Sequence, residues 1–139
     1  MRSWLDLCWL VLPLGLAACV VEAEPVGPDD VSDPPTSLAE RACPDDSDLV
    51  YESFGAPFMI TWCNGCHAAS LPEGERAQAP MGIDFDTVED VRKHADRIWA
   101  RSADHNLTMP PAGGPDEVER EMLGEWLACG APRESDYYP

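Results

Sequence analysis

The chain has 139 residues, with 26 acidic residues against 9 lysines and arginines and a formal net charge of −17. Its length suffices for one domain. So large an acidic excess argues against nucleic acid and anionic membrane surfaces as partners, because the field repels both. It favours encounter with a basic partner, although an exported domain can also carry an acidic surface simply to stay solvated.

Residues 1–18 are predicted to be a bacterial lipoprotein signal peptide. Arg2 supplies the positive charge expected at the N-terminal end of a signal peptide. The apolar run from Leu5 to Leu16 is too short to cross a bilayer as a helix. Leu16-Ala17-Ala18-Cys19 then fits the lipoprotein cleavage pattern, in which small residues precede a cysteine that becomes lipidated. The alternative is an ordinary signal peptide cut nearby, with Cys19 incidental. Lipidation of Cys19 would anchor the exported protein on the periplasmic side of a bacterial membrane, since several acyl chains attach stably.

Residues 19–40 are predicted to be a flexible linker, because prolines and acidic residues dominate them and such a composition cannot bury enough apolar surface to order itself. Its prolines and charges favour an extended chain that holds the domain off the membrane. The domain is predicted over residues 41–132, and residues 133–139 are predicted to be a frayed C-terminal tail.

A first helix is predicted where Asp45, Asp46 or Ser47 can cap it, with an interruption at Gly55-Ala56-Pro57. Pro57 suits the first position of a new helical turn, which leads into the next motif. The apolar side chains of this first helix are Leu49, Val50, Tyr51 and Phe54.

Two cysteines three apart and an immediately following histidine form Cys63-Asn64-Gly65-Cys66-His67, the attachment sequence of a c-type haem. On a helical turn, residues three and four apart share one face. Cys63 and Cys66 can therefore bond the two haem vinyl groups while the His67 imidazole reaches the iron. A bare CxxC also suits a redox dithiol or half of a zinc site, and these remain the alternatives.

Two further helices are predicted after the loop Ala68–Ile83. Asp86-Thr87-Val88-Glu89 reads as a capping box for a helix that continues to about Ser102, and His94 on it is expected to be a surface histidine. Asp116 and Glu119 form another capping box for a last helix that ends near Ala128, stopped by Gly130 and Pro132. The predicted apolar stripe of the last helix is Val118, Met122, Leu123, Trp126 and Leu127.

Three features together resemble a small class I mono-haem cytochrome c domain, here on a bacterial lipoprotein: the haem-attachment residues, the downstream Met109-Pro110-Pro111 and the closing helix ending in Trp126-Leu127. The resemblance covers roughly the last two thirds of the chain. It implies an all-α fold of three to four short helices and long loops around one covalently bound haem c. It also implies that a backbone carbonyl after the motif accepts the second ring proton of His67, with Pro72 and Pro80 as candidates.

Met109 is the candidate for the second axial ligand, because the family places its thioether ligand in such a proline-stiffened loop between two helices. Met81, in the other loop, and His105 are the alternatives, and His105 would give bis-histidine ligation. Met59 and Met122 lie on apolar helix faces and are expected in the core. Arg97, Arg101 and the Trp99 indole N–H are candidate partners of the haem propionates.

The chain has six cysteines. The signal segment, the lipidation site at Cys19 and the haem motif account for four of them, so Cys43 and Cys129 remain. In an oxidising compartment they are predicted to form a disulfide, because the first and last helices of class I cytochromes pack across each other. Two free buried thiols are the alternative.

The predicted function is single-electron transfer between redox proteins by a membrane-tethered periplasmic cytochrome without substrate chemistry of its own. Its partners would include a redox protein with a basic docking surface and, through the lipid anchor, the membrane, but no nucleic acid. Two alternatives stay open at this stage. One is a haem peroxidase or small-ligand sensor with an open sixth iron position, and the other is a haem-free thiol-redox or structural lipoprotein.

Overall fold

The computed structural model describes residues 33–137, and this part of the chain is helical and contains no strand, so it is all-α as predicted. The signal peptide, Cys19 and most of the linker lie outside the described residues. Between residues 33 and 137 no helix is long and apolar enough to span a bilayer.

The described chain has five helices in chain order. Helix α1 is made of Tyr51–Gly55, Ala56–Phe58 and Met59–Cys63 in unbroken succession. It is followed by α2 (Val88–Lys93), α3 (Ala95–Ser102), α4 (Glu117–Ala128) and α5 (Glu134–Tyr137), and single 3₁₀ turns lie at Leu38–Glu40 and Glu73–Glu75.

Helix α1 runs without a break into the cysteine motif, so the predicted interruption at Gly55-Ala56-Pro57 is wrong. Its first and last parts are wide turns, in which Gly55 N–H bonds to Val50 O and Asn64 N–H bonds to Met59 O. Such turns occur as local bulges in helices, and here they flank the proline, which has no N–H to donate. The helix begins at Tyr51 with no side-chain cap, later in the chain than the predicted cap residues.

One residue, His94, separates helices α2 and α3, which the sequence predicts as a single helix. His94 leaves the helical region with φ −114° and ψ 12°. The cap also differs from the predicted one, since Thr87 accepts the N–H of Asp90 at 3.2 Å. Asp86 instead accepts the N–H of Ala69 at 2.8 Å, and so it ties the loop after the motif to the start of α2.

Helix α4 has the boundaries and the capping box that its sequence predicts. The side chain of Asp116 accepts the Glu119 N–H, and the Glu119 side chain accepts the Asp116 N–H in return. At the other end Gly130 has φ +85°, and the N–H groups of Gly130 and Ala131 bond back to Leu127 O and Trp126 O. This is a Schellman ending, in which glycine takes the left-handed conformation most cheaply. Two stripe positions differ: Val118 is exposed, and Met122, which the sequence predicts in the core, is half-buried and lines an open groove outside the core cluster.

The core lies where α4 meets α1 and α3. Trp126 is fully buried, its ring stacks on Tyr51 at a centroid distance of 6.3 Å, and Phe54 meets it edge-on at 6.0 Å. Met59 is 1% exposed, which confirms its predicted place in the core. The other buried apolar side chains of this cluster include Phe58, Phe85, Val88, Val91, Ile98, Trp99, Leu123 and Leu127.

Both ends of the described chain are tied to the helices. Leu38, before the predicted start of the domain, packs against the core. Residues 133–137, predicted to be a frayed tail, instead form the turn of α5. Asp136 accepts a bond from Arg92 of α2, and Arg133 pairs with Glu89. These ion pairs fix the tail to α2. The composition of the tail alone does not predict that attachment.

Candidate functional site

The predicted haem residues come together around one cavity of about 530 Å³. Cys63, Cys66, His67 and Met109 all line it, although more than 40 residues of chain separate the motif from the methionine. Its size falls in the range of small-molecule and cofactor sites. Much of the remaining lining is apolar and comes from Trp62, Ile83, Phe85, Ile98, Pro110 and Pro111.

The two motif cysteines sit where α1 ends. The N–H groups of Cys66 and His67 both bond to Cys63 O, at 3.1 and 2.9 Å, so the motif folds as one tight turn. Both thiols are free and partly buried. Burial raises the pKa of the Cys63 thiol to about 12, with a smaller contribution from the neighbouring Cys66. Both thiols are therefore presented to the cavity by one rigid turn.

The His67 ring is held in a fixed orientation. Its Nδ1 lies 2.8 Å from Ile83 O, and its ring stacks on Phe85 at a centroid distance of 4.7 Å and an interplanar angle of 24°. With Nδ1 donating to a carbonyl, Nε2 is the nitrogen that is left to bind a metal. The carbonyl comes from the expected loop, but Ile83 supplies it rather than Pro72 or Pro80. His94 lies on the other side of this ring stack, edge-on to Phe85 at 6.0 Å, and does not line the cavity.

Met109 is the methionine of this cavity. The backbone N–H groups of Thr108 and Met109 both bond to Arg101 O at 2.9 Å, which docks the loop on the end of α3. Both methionines are exposed, Met109 by 40% and Met81 by 58%, but Met81 does not line the cavity. His105 lines a separate open groove and meets Trp99 edge-on. The geometry therefore favours Met109 over both alternatives as a ligand to a group held by the motif.

Among the candidate propionate partners, two arginines fit and the tryptophan does not. Arg97 and Arg101 of α3 line the cavity. Trp99 is 2% exposed, and its indole N–H donates to Asp104 Oδ2 at 2.7 Å. That proton already has a carboxylate partner whose side chain is 12% exposed, so the structure does not favour a role of Trp99 toward a propionate.

A further residue of the site, Arg76, was not predicted from the sequence. Its side chain is fully buried, at 0% exposure, beneath the loop that carries Ile83. It donates to the backbone carbonyls of Ala68, Ala79, Pro80 and Ile83 and pairs with Asp84. The sequence around Arg76 does not indicate that this arginine is buried, because the carbonyls that it binds come together only in the folded chain.

Cys43 and Cys129 are joined in the structure, although they are 86 positions apart in sequence, and their Cα atoms lie 4.8 Å apart. This Cα separation lies within the limit of about 7 Å that a disulfide allows. The bridge links the segment before α1 to the end of α4, as the sequence predicts.

Over residues 33–137 no three or more His, Cys, Asp and Glu side chains converge as a metal-binding cluster, so the zinc alternative for the motif has no further ligands in that range. Comparisons with protein-family models, with curated proteins and with solved structures found no match.

Proposed function

We propose that this domain is a mono-haem c-type cytochrome that carries single electrons between redox partners. The observation that carries the proposal is the shared cavity, where Cys63, Cys66 and His67 meet Met109. These residues supply two thiols, an imidazole nitrogen and a thioether, which is the donor set that covalent haem with His/Met ligation needs. The residues thus fit the group.

Covalent attachment would use the two thiols. Each cysteine sulfur would add to one carbon of a haem vinyl group while its proton passes to the other carbon, so the addition needs no oxidant. Because one turn carries both cysteines and His67, attachment would bring the imidazole to the iron with little further ordering. The Ile83 carbonyl would keep Nε2 directed to the metal.

Met109 would complete the coordination of the iron. A thioether is a weakly donating ligand that favours the ferrous state and raises the reduction potential relative to a second histidine. If His67 and Met109 both bound the iron, no position would be left for a substrate, and the function would be electron transfer without bond chemistry. The haem itself would supply the one-electron couple.

The rest of the lining would tune that couple. Ile98, Phe85 and the prolines after Met109 are apolar lining residues that would limit the access of water to a bound haem, and a drier environment changes the potential of a bound redox centre. Arg97 and Arg101 are placed to pair with the haem propionates, since both are cationic and line the same cavity.

We place the protein on the periplasmic side of a bacterial membrane, tethered by lipid on Cys19 and held off the surface by the linker. The support is the sequence of residues 1–40, with its signal peptide and its proline-rich, acidic linker. The net charge of −17 favours a redox partner with a basic docking surface.

Absorption spectra of the purified protein in both oxidation states test the function. We expect a low-spin, six-coordinate haem spectrum in each state and a reversible one-electron titration between them. A high-spin ferric spectrum, together with immediate binding of cyanide by the protein, would favour a peroxidase or small-ligand sensor. A purified protein with no haem absorption and a reducible Cys63–Cys66 disulfide would favour the thiol-redox alternative, which the raised pKa of the Cys63 thiol argues against.

A further inference from the structure

Arg76 is a buried cation whose hydrogen bonds close the loop beneath the His67 ring. Its guanidinium donates to Ala68 O at 2.7 Å, to Ala79 O at 3.3 Å and to Pro80 O at 3.1 Å. Asp84 balances the charge of Arg76, with Asp84 Oδ1 2.6 Å from Arg76 Nη2. A fully buried arginine is expensive unless such partners satisfy it, and this one is satisfied by groups that sit around the candidate haem site.

The last of these bonds reaches the carbonyl that orients His67. Arg76 Nη2 lies 3.1 Å from Ile83 O, and His67 Nδ1 lies 2.8 Å from the same oxygen. A carbonyl oxygen has two lone pairs, so it can accept both bonds at once, and the two protons of Nη2 are shared among Ile83 O, Pro80 O and Asp84 Oδ1. The cation and the imidazole therefore compete for the electron density of one acceptor.

We propose that Arg76 is a positioning residue that sets the donor strength of His67 through the Ile83 carbonyl, an inference that rests on the proposed function. A hydrogen bond from the other ring nitrogen to a strong acceptor raises the basicity of a ligating histidine. A guanidinium on the same oxygen draws density from it and weakens that acceptor. His67 then stabilises ferric iron less, and the reduction potential is higher than it would be without Arg76.

Asp84 acts in the opposite direction. Its carboxylate bonds the Arg76 nitrogen that reaches Ile83 and neutralises part of the positive charge. Removing the charge of Asp84 leaves Arg76 free to draw more strongly on the carbonyl. The two side chains are therefore expected to shift the reduction potential with opposite signs, and because their charges alone also produce that pattern, the hydrogen-bonded proton of His67 is the deciding readout.

The test uses the haem-bearing, full-length protein and two readouts, the reduction potential and the NMR signal of the His67 Nδ1 proton in the ferrous state. For Arg76→Gln we expect the reduction equilibrium to move about tenfold toward the oxidised form, the lower end of outer-shell effects, which equals about 59 mV for one electron. The ring proton should shift downfield and exchange more slowly, because its bond to Ile83 strengthens. Asp84→Asn should raise the potential and shift the proton upfield.

Arg92→Gln is the matched control, because it also removes one positive charge and Arg92 donates to Gly130 O and Ala131 O, not to Ile83 O. It can change the potential by charge alone, and it should leave the His67 proton where it is. If Arg76→Gln lowers the potential but leaves that proton signal unchanged, the through-carbonyl role is wrong. If Arg76→Gln does not accumulate with haem, Asp84→Asn decides, since it leaves Arg76 and its carbonyl partners in place.

The two proposals fail in different ways. A wild-type protein without covalent haem contradicts the proposed function itself. A wild-type protein with a normal six-coordinate spectrum, whose His67 proton is indifferent to both Arg76→Gln and Asp84→Asn, contradicts the role of Arg76 alone.

Discussion

Gly55 of α1 lies directly against the indole ring of Trp126 in α4, with no room for a side chain between them. A β-carbon at residue 55 would have three atoms of the Trp126 ring at or within 3.0 Å. The ring cannot easily move away, because it is fully buried and its N–H donates to Pro132 O at 3.2 Å. Gly55 therefore sets how closely the two helices approach.

Replacing Gly55 with alanine is predicted to destabilise the domain. Overpacking a buried contact typically costs about 1–3 kcal/mol, while alanine is better than glycine in a helix by about 1 kcal/mol. Because the buried Trp126 ring cannot easily move, we expect the upper part of the overpacking range and so a net loss of about 1–2 kcal/mol in the free energy of unfolding, measured by denaturant titration. Gly74→Ala is the control, because a β-carbon there meets nothing within 4 Å. Equal stability of the two variants would contradict the contact.

The same contact helps to explain why the continuity of α1 could not be predicted from the sequence, whereas α4 could be. The signals of α4 are local: the Asp116 and Glu119 capping box, the apolar spacing and Gly130 after its end. Gly55-Ala56-Pro57 is a local break signal as well, yet the chain stays helical there. Burial of Phe58 and Met59 beside Gly55 and its contact with Trp126 outweigh the weak local preference.

The residues of the candidate site also fall into those that the sequence predicts and those that only the structure reveals. Cys63, Cys66 and His67 could be found because their spacing along the chain is itself the signal. Met109 could be found from its place in a proline-stiffened loop. The Ile83 carbonyl and Arg76 could not, because they matter only through the path of the loop in three dimensions. A carbonyl has no sequence signature, and a buried arginine looks like a surface one until its partners are known.

Removing the bridge between Cys43 and Cys129 is predicted to destabilise the domain without affecting the haem. A closed loop of this length gives about 4–5 kcal/mol by chain entropy, but the haem would already restrain the unfolded chain, so we expect about 2 kcal/mol. The measurement is the unfolding free energy of the Cys43→Ser, Cys129→Ser double variant. Mass spectrometry of the exported, unreduced protein is the check, and alkylation of both wild-type thiols would end the proposal.

Met109→Ala is predicted to lower the reduction potential and to open the iron to cyanide. Loss of the thioether removes the ligand that favours ferrous iron, and we expect a change on the order of 0.1 V within the range of about 0.8 V that axial ligands span. Redox titration and cyanide binding are the measurements. Met81→Ala is the matched control, because Met81 is exposed and away from the cavity. An unchanged spectrum and potential in Met109→Ala would move the ligand to Met81 or His105.

Cys19→Ser is predicted to release the protein from the membrane and to leave its haem intact. The prediction depends on the sequence Leu16-Ala17-Ala18-Cys19, which lies outside the described residues. Lipid on this cysteine would be the only anchor that we propose, so its loss should move most of the protein to the soluble periplasmic fraction. Fractionation and immunoblotting measure this, and equal membrane retention of variant and wild type would contradict lipid anchoring through Cys19.

Covalent attachment of haem to Cys63 and Cys66 is tested most directly by a haem stain after denaturing gel electrophoresis. The protein is produced in a bacterial host that matures c-type cytochromes, beside a Cys63→Ala, Cys66→Ala variant. Only covalent haem survives denaturation, so we expect a stained band at the size of the wild-type chain and none for the variant. An unstained wild-type band, or a variant that stains equally, would contradict haem attachment at this motif.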